Sequence, residues 1–224
     1  MAPNVSILTA DCPPILYHVG RVNDPLRFSV IDPLDAELSD VGNRFDVVGS
    51  GVIYASTEKV GAYKETVASL RPAASSFAYE NGQHEHFMNL GAVPAEWREA
   101  RRLVSFGLRE PLPFVDLEQD ETLSVLTREL APQLVDLGIA NLDSAAVRGS
   151  NRLLTRAIAS WAYVAVDEND EARYSGIRFS SRFQSHECWA LFEGVVIDNV
   201  TTSSIAATDT ALSAAARDFG LTVH

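Results

Sequence analysis

The strand-like runs of this chain do not alternate with its helices, and that order excludes more folds than any other feature of the sequence. Runs rich in β-branched and aromatic residues at 15–22 (ILYHVGRV), 51–56 (GVIYAS) and 113–117 (PFVDL) predict strands. Two more lie within 175–193 (GIRFSS and CWALFE, split by a polar turn at 184–186), and 195–201 predicts another. Helical spacing covers 59–70, 96–106, 123–137, 150–166 and 209–219. A doubly wound parallel sheet needs a helix between successive strands, and this order does not supply one. The expectation is an α+β fold: a mixed, partly antiparallel sheet core with flanking helices. A chain of 224 residues can bury a sizeable core without disulfides, and it reads as one domain spanning 1–224.

Local signals place the elements more closely. Ser56 or Thr57 is positioned to cap the first helix, Glu58 suits its positive end, and Pro72 stops it. Ser150 opens the strongly apolar helix that runs through Ile158, Ala159 and Trp161. Residues 24–50 are rich in Asp, Pro, Gly and Ser and read as one long loop, a length often associated with function.

Charge narrows the function classes. The formal net charge is −12, which repels nucleic-acid phosphate and disfavours direct DNA or RNA binding. Among the basic residues, 16 are Arg and only Lys59 and Lys64 are Lys. Genomic base composition is the plain explanation of that bias, but each Arg still carries a rigid fork suited to carboxylate or phosphate. Two cysteines far apart, Cys12 and Cys188, suit a reducing compartment, and Cys188 reads as core within its apolar run. The N-terminal segment MAPNVSILTADCPP has no basic region followed by a long apolar stretch, and no 18-residue apolar span occurs. A cytoplasmic location with no membrane partner is the expectation.

Several chemistries find no support in motif form. A glycine-rich dinucleotide loop after a strand, a Walker lysine and a nucleophile elbow are all missing. Gln83-His84-Glu85-His86 offers two imidazoles, but at i, i+2 in a loop-like context and without a clear third ligand. The expectation is no metal.

The informative stretch is Gly42-Asn43-Arg44-Phe45-Asp46, then Gly51-Val52-Ile53-Tyr54-Ala55-Ser56, then Ala62-Tyr63-Lys64-Glu65-Thr66. An Arg on a glycine-flanked loop precedes a strand carrying Tyr54, and Glu65 follows on the next helix. That strand–helix unit can bring Tyr54 and Glu65 to one cleft. Taken alone, the residues favour the plainer reading of a surface Arg, a half-buried Tyr and a solvated Glu.

These segments resemble the RES domain family, named after an Arg, a Glu and a Ser. Leu16-Tyr17-His18-Val19-Gly20-Arg21 is similar to its first strand, and Gly42-Asn43-Arg44-Phe45 to its glycine–arginine–aromatic loop. Val52 through Ser56 and Ala62 through Glu65 are similar to its tyrosine strand and glutamate helix. Thr155-Arg156-Ala157-Ile158-Ala159, Gly176-Ile177-Arg178-Phe179-Ser180-Ser181 and Cys188-Trp189-Ala190-Leu191-Phe192 match in order, so the resemblance covers about 15–193. The chain departs at one place: many members carry Arg after the first Tyr, where this chain has His18. Arg21, three residues on, points to the other face of the strand.

The resemblance implies an ADP-ribosyltransferase-like fold and an NAD-consuming enzyme of the bacterial toxin type. NAD is then the substrate and no separate cofactor is expected. It implies Glu65 and Ser181 as catalytic residues, with Glu65 stabilising the sugar cation and Ser181 holding substrate or Glu65. Arg21, Arg44, Tyr54 and His18 would bind NAD. The implied partner is a helix-turn-helix, Xre-type antitoxin. Two rival readings are a non-catalytic RES-like nucleotide- or protein-binding module and an ADP-ribosyltransferase acting on a macromolecule.

Overall fold

The computed structural model describes residues 6–73, 91–183 and 186–224. The Gln83–His86 segment lies outside them. Ten strands are described: β1 (Thr9–Ala10), β2 (Leu16–Arg21), β3 (Val52–Ser56), β4 (Ala92–Val93), β5 (Arg101–Arg109), β6 (Phe114–Asp116), β7 (Gly176–Ser180), β8 (Glu187–Phe192), β9 (Val196–Ser204) and β10 (Thr222–Val223). The described α-helices are α1 (Lys59–Val67), α2 (Ala95–Glu99), α3 (Asp120–Glu129), α4 (Ala131–Asp136), α5 (Ser144–Arg148), α6 (Arg152–Val164) and α7 (Thr210–Asp218).

Eight strands form one sheet in the order β1-β6-β7-β8-β3-β2-β5-β9, while β10 and β4 pair separately. Within the large sheet only β6 and β7 run parallel. The α+β expectation therefore holds, with a mostly antiparallel sheet.

Side-chain alternation gives the sheet two different faces. One face carries a single apolar cluster of Leu16, Ile53, Ala55, Val104, Phe106, Phe114, Trp189 and Leu191. The other carries two. Val52, Ile177, Phe179, Cys188, Ala190 and Phe192 pack toward α3 and α6 in one cluster. Val19 and Leu103 pack with Ala62, Tyr63 and Val67 of α1 and Leu212, Ala215 and Ala216 of α7 in the second. The division follows β2 and β3, which share one registered pair, Tyr17 opposite Ser56. By contrast β3 and β8 are matched over five.

The structure corrects four expectations; the first is the cap of α1, which is Glu58 and neither Ser56 nor Thr57. Helical spacing over 96–106 is realised only as α2, and Arg101–Arg109 is a strand. That strand has neighbours on both edges and apolar contacts on both faces, so its run of Leu103, Val104 and Phe106 lacks the simple alternation of a half-buried strand. The helix expected over 123–137 is two, parted at Leu130, with Pro132 in the first turn of the second. The apolar helix α6 begins at Arg152, not at Ser150, and its cap is Asn151, whose side chain accepts from Leu153 N at 3.0 Å and Leu154 N at 3.3 Å. Residues 24–50 do lack any helix or strand, and isolated bridges tie Arg21 to Asp24 and Ser29 to Val52.

Candidate functional site

The site lies on the divided face, and close packing of α1 against β3 positions it. Gly61 makes that approach possible, because a Cβ there would sit 2.2 Å from Ser56 Oγ. One turn later α1 presents Glu65, an exposed residue whose Oε1 accepts a hydrogen bond from Ser181 Oγ. The Cys188 thiol reaches the same oxygen at 4.0 Å. Ser181 is buried just past β7, on the face of Phe179, and its hydroxyl also accepts from Phe183 N at 2.9 Å. Burial and the nearby Glu65 carboxylate push the Cys188 thiol up, so it stays protonated.

Arg44 comes from the long loop. Gly42 turns the chain ahead of it with φ +76°. Asp46 fixes the turn by accepting from Asn43 N at 2.6 Å and Asn43 Nδ2 at 3.2 Å. The Arg44 side chain is buried, with Nη1 donating to the Val147 carbonyl at 3.3 Å and the guanidinium carbon 6.0 Å from the Phe179 ring centre. Burial, then the charge of Arg152, pull its pKa down to about 10, while Glu65 opposes them.

Tyr54 joins this loop to the sheet. Its hydroxyl donates to Asp46 Oδ1 at 3.0 Å and accepts from Phe45 N at 3.0 Å. Burial first, then Asp46, raise its pKa well above the ordinary phenol value, so it remains a donor. The side chain that the resemblance implies in NAD binding thus anchors the Arg44 loop.

His18 and Arg21 sit differently. His18 Nδ1 lies 2.6 Å from the Tyr54 carbonyl, an acceptor, so that nitrogen carries the hydrogen. Alternation directs its side chain toward the face of Leu16, away from the face of Tyr54. Burial lowers its pKa, although the carbonyl bond opposes this, and the ring is neutral at pH 7. Arg21 shares the face of Tyr17, is exposed at the end of β2 and stands opposite Arg101.

Sequence reasoning missed two arginines. Arg152, the first residue of α6, and Arg182, next to Ser181, each lower the pKa of Arg44. Arg152 and Arg156 one turn apart on an otherwise apolar helix were the available signal. Among the described residues no three His, Cys, Asp or Glu side chains are grouped to hold a metal. No described helix is long and apolar enough to cross a membrane.

Comparison with known proteins gives two findings and one blank. No curated protein matches the chain. Among solved structures, the chain is similar to one in the crystal structure of the M. tuberculosis MbcT–MbcA toxin–antitoxin complex. The identity is 11%, with 88% of this chain and 87% of that chain covered and a TM-score of 0.45. The family model described as RES domain matches residues 16–208, and the chain therefore belongs to the RES domain family.

Proposed function

We propose that this protein cleaves NAD at the nicotinamide–ribose bond, as a toxin held in check by a helix-turn-helix antitoxin in the cytoplasm. The observation that carries the reading is the Glu65–Ser181 pair: an exposed carboxylate fixed by a buried hydroxyl, with Arg44 behind it. Breaking the glycosidic bond sends its electron pair to the nicotinamide nitrogen and leaves positive charge on the ribose. A carboxylate already oriented stabilises that charge without reorganising. Ser181 is the positioning residue that holds Oε1, and Arg44 supplies positive charge for the substrate's phosphates. Tyr54 braces Arg44 through Asp46. His18, neutral and turned to the other face, supports the Tyr54 backbone instead of binding phosphate. Water, phosphate or a protein side chain then captures the sugar.

The test is to incubate purified protein with NAD and follow nicotinamide release, using Glu65→Gln as the control. Release by the wild type and its loss in the variant are expected. No release from NAD, alone or with cell lysate, would leave the non-catalytic reading. Co-expression with the neighbouring gene tests the partner: a bound antitoxin should compete with NAD.

A further inference from the structure

Arg152 is left with an unused hydrogen-bond donor inside the site. Its Nη1 is buried and has no hydrogen-bond partner, although buried polar groups are nearly always paired. Arg44 and Arg182 lie close enough to interact electrostatically with it. Burial and then Arg182 lower the pKa of Arg152, and burial and then Arg152 lower that of Arg44. The carboxylates that support Arg44 and Arg152 are both engaged elsewhere: Glu65 by Ser181 and Cys188, Asp46 by Asn43 and Tyr54. The three arginines arrive from separate segments: the loop before β3, the start of α6 and the turn after β7.

We propose that Arg152, with Arg182 and Arg44, forms a subsite for a phosphoryl group, and that Arg152 Nη1 donates directly to one of its oxygens. An excess of rigid donors in a half-buried place suits a group with several anionic oxygens better than a single carboxylate. Two sources share that chemistry: a phosphate of the dinucleotide and free inorganic phosphate. The assignment to Arg152 rests on the reading of this cleft as the NAD site. It moves the principal phosphate contact away from Arg44, whose Nη1 already holds the Val147 carbonyl.

The experiment is calorimetry on the full chain with three probes: ADP-ribose, inorganic phosphate and nicotinamide riboside, which has no phosphate. Arg152→Gln should weaken ADP-ribose or phosphate binding about ten- to a hundredfold, the worth of a charged hydrogen bond. Nicotinamide riboside should bind as before. Arg152→Lys keeps the charge without the fork and should fall between. The ligand-free Arg152→Gln protein should melt no lower than the wild type, because an unpaired, repelled cation has gone. Inorganic phosphate that competes with ADP-ribose identifies one shared subsite. Phosphate binding that needs Arg152 but does not compete identifies free phosphate as the occupant.

Binding of both phosphate probes within twofold of wild type in Arg152→Gln would overturn the assignment. So would an equal loss of nicotinamide riboside, which indicates general damage. Nicotinamide release from NAD is scored separately. A chain that binds phosphate through Arg152 but does not cleave NAD keeps the subsite and loses the proposed activity. Cleavage with unchanged KM in Arg152→Gln does the reverse.

Discussion

The two faces of the sheet hold arginines in opposite states. On one, Arg178 Nη1 donates to Asp116 at 2.9 Å and Nε to Glu187 at 2.7 Å. Burial opposes its charge, but those two carboxylates outweigh it and raise its pKa. On the other, Arg44 and Arg152 are both lowered, by burial first and then by neighbouring cations. The paired arginine completes the scaffold by itself. The crowded ones carry positive charge that Glu65 and Asp46 offset only in part. The same contrast runs through the apolar packing, with one undivided cluster behind Arg178 and two clusters parted along the site.

Substitutions can break that comparison. The largest expected effect is on chemistry: Glu65→Gln should keep its melting midpoint and lose about two to four orders of magnitude in NAD turnover, read by nicotinamide release. Next is Arg178→Gln, which leaves the buried Asp116 carboxylate without its cation. It should cost about 1–3 kcal/mol in denaturant unfolding. An Arg178→Gln protein as stable as wild type would erase the distinction between the faces. Tyr54→Phe should cost about 1 kcal/mol, since Asp46 loses one partner but keeps Asn43. If the ring is what contacts substrate, this variant should retain most activity, and a large loss of turnover would show that bracing the Arg44 loop matters more.

The smallest effect is the pH dependence of His18. Its folded pKa lies below the unfolded 6.5, so the unfolded chain binds more protons in the window between the two values. The stability that a neutral His18 contributes is complete above about pH 6.5 and is lost as pH falls toward the folded pKa. His18→Gln should flatten the acid limb of a midpoint-against-pH plot by at most about 1.4 kcal/mol per pH unit. An identical slope in wild type and variant would remove His18 from the acid response.

Strands with simple runs, such as Val52–Ser56 and Gly176–Ser180, were legible because β-branched and aromatic residues sit between turn signals. Arg101–Arg109 was not, because burial on both faces removes the alternation that marks a strand. The Glu65–Ser181 pair spans 116 positions, and no local rule connects such residues. Only the family resemblance put the two together. The isolation of Arg152 is still less accessible, since a missing partner is a property of the folded surroundings and not of the residue. His18 could be read as a departure from the family, but its direction and its neutral state depend on the register of β2.

Arg156, one turn after Arg152, is buried and bonds outward from α6 to the long loop. Its guanidinium donates to the carbonyls of Asp35 at 3.2 Å and Val41 at 3.3 Å, and also to that of Leu38. The Arg152 backbone N–H adds a bond to the Ser39 carbonyl at 2.9 Å. A segment without helix or strand is thereby riveted to a helix at four carbonyls between residues 35 and 41. A protease meets a stretch whose peptide bonds cannot straighten until several rivets fail together, and cleavage near residues 35–41 becomes a gauge of whether the start of α6 is still docked.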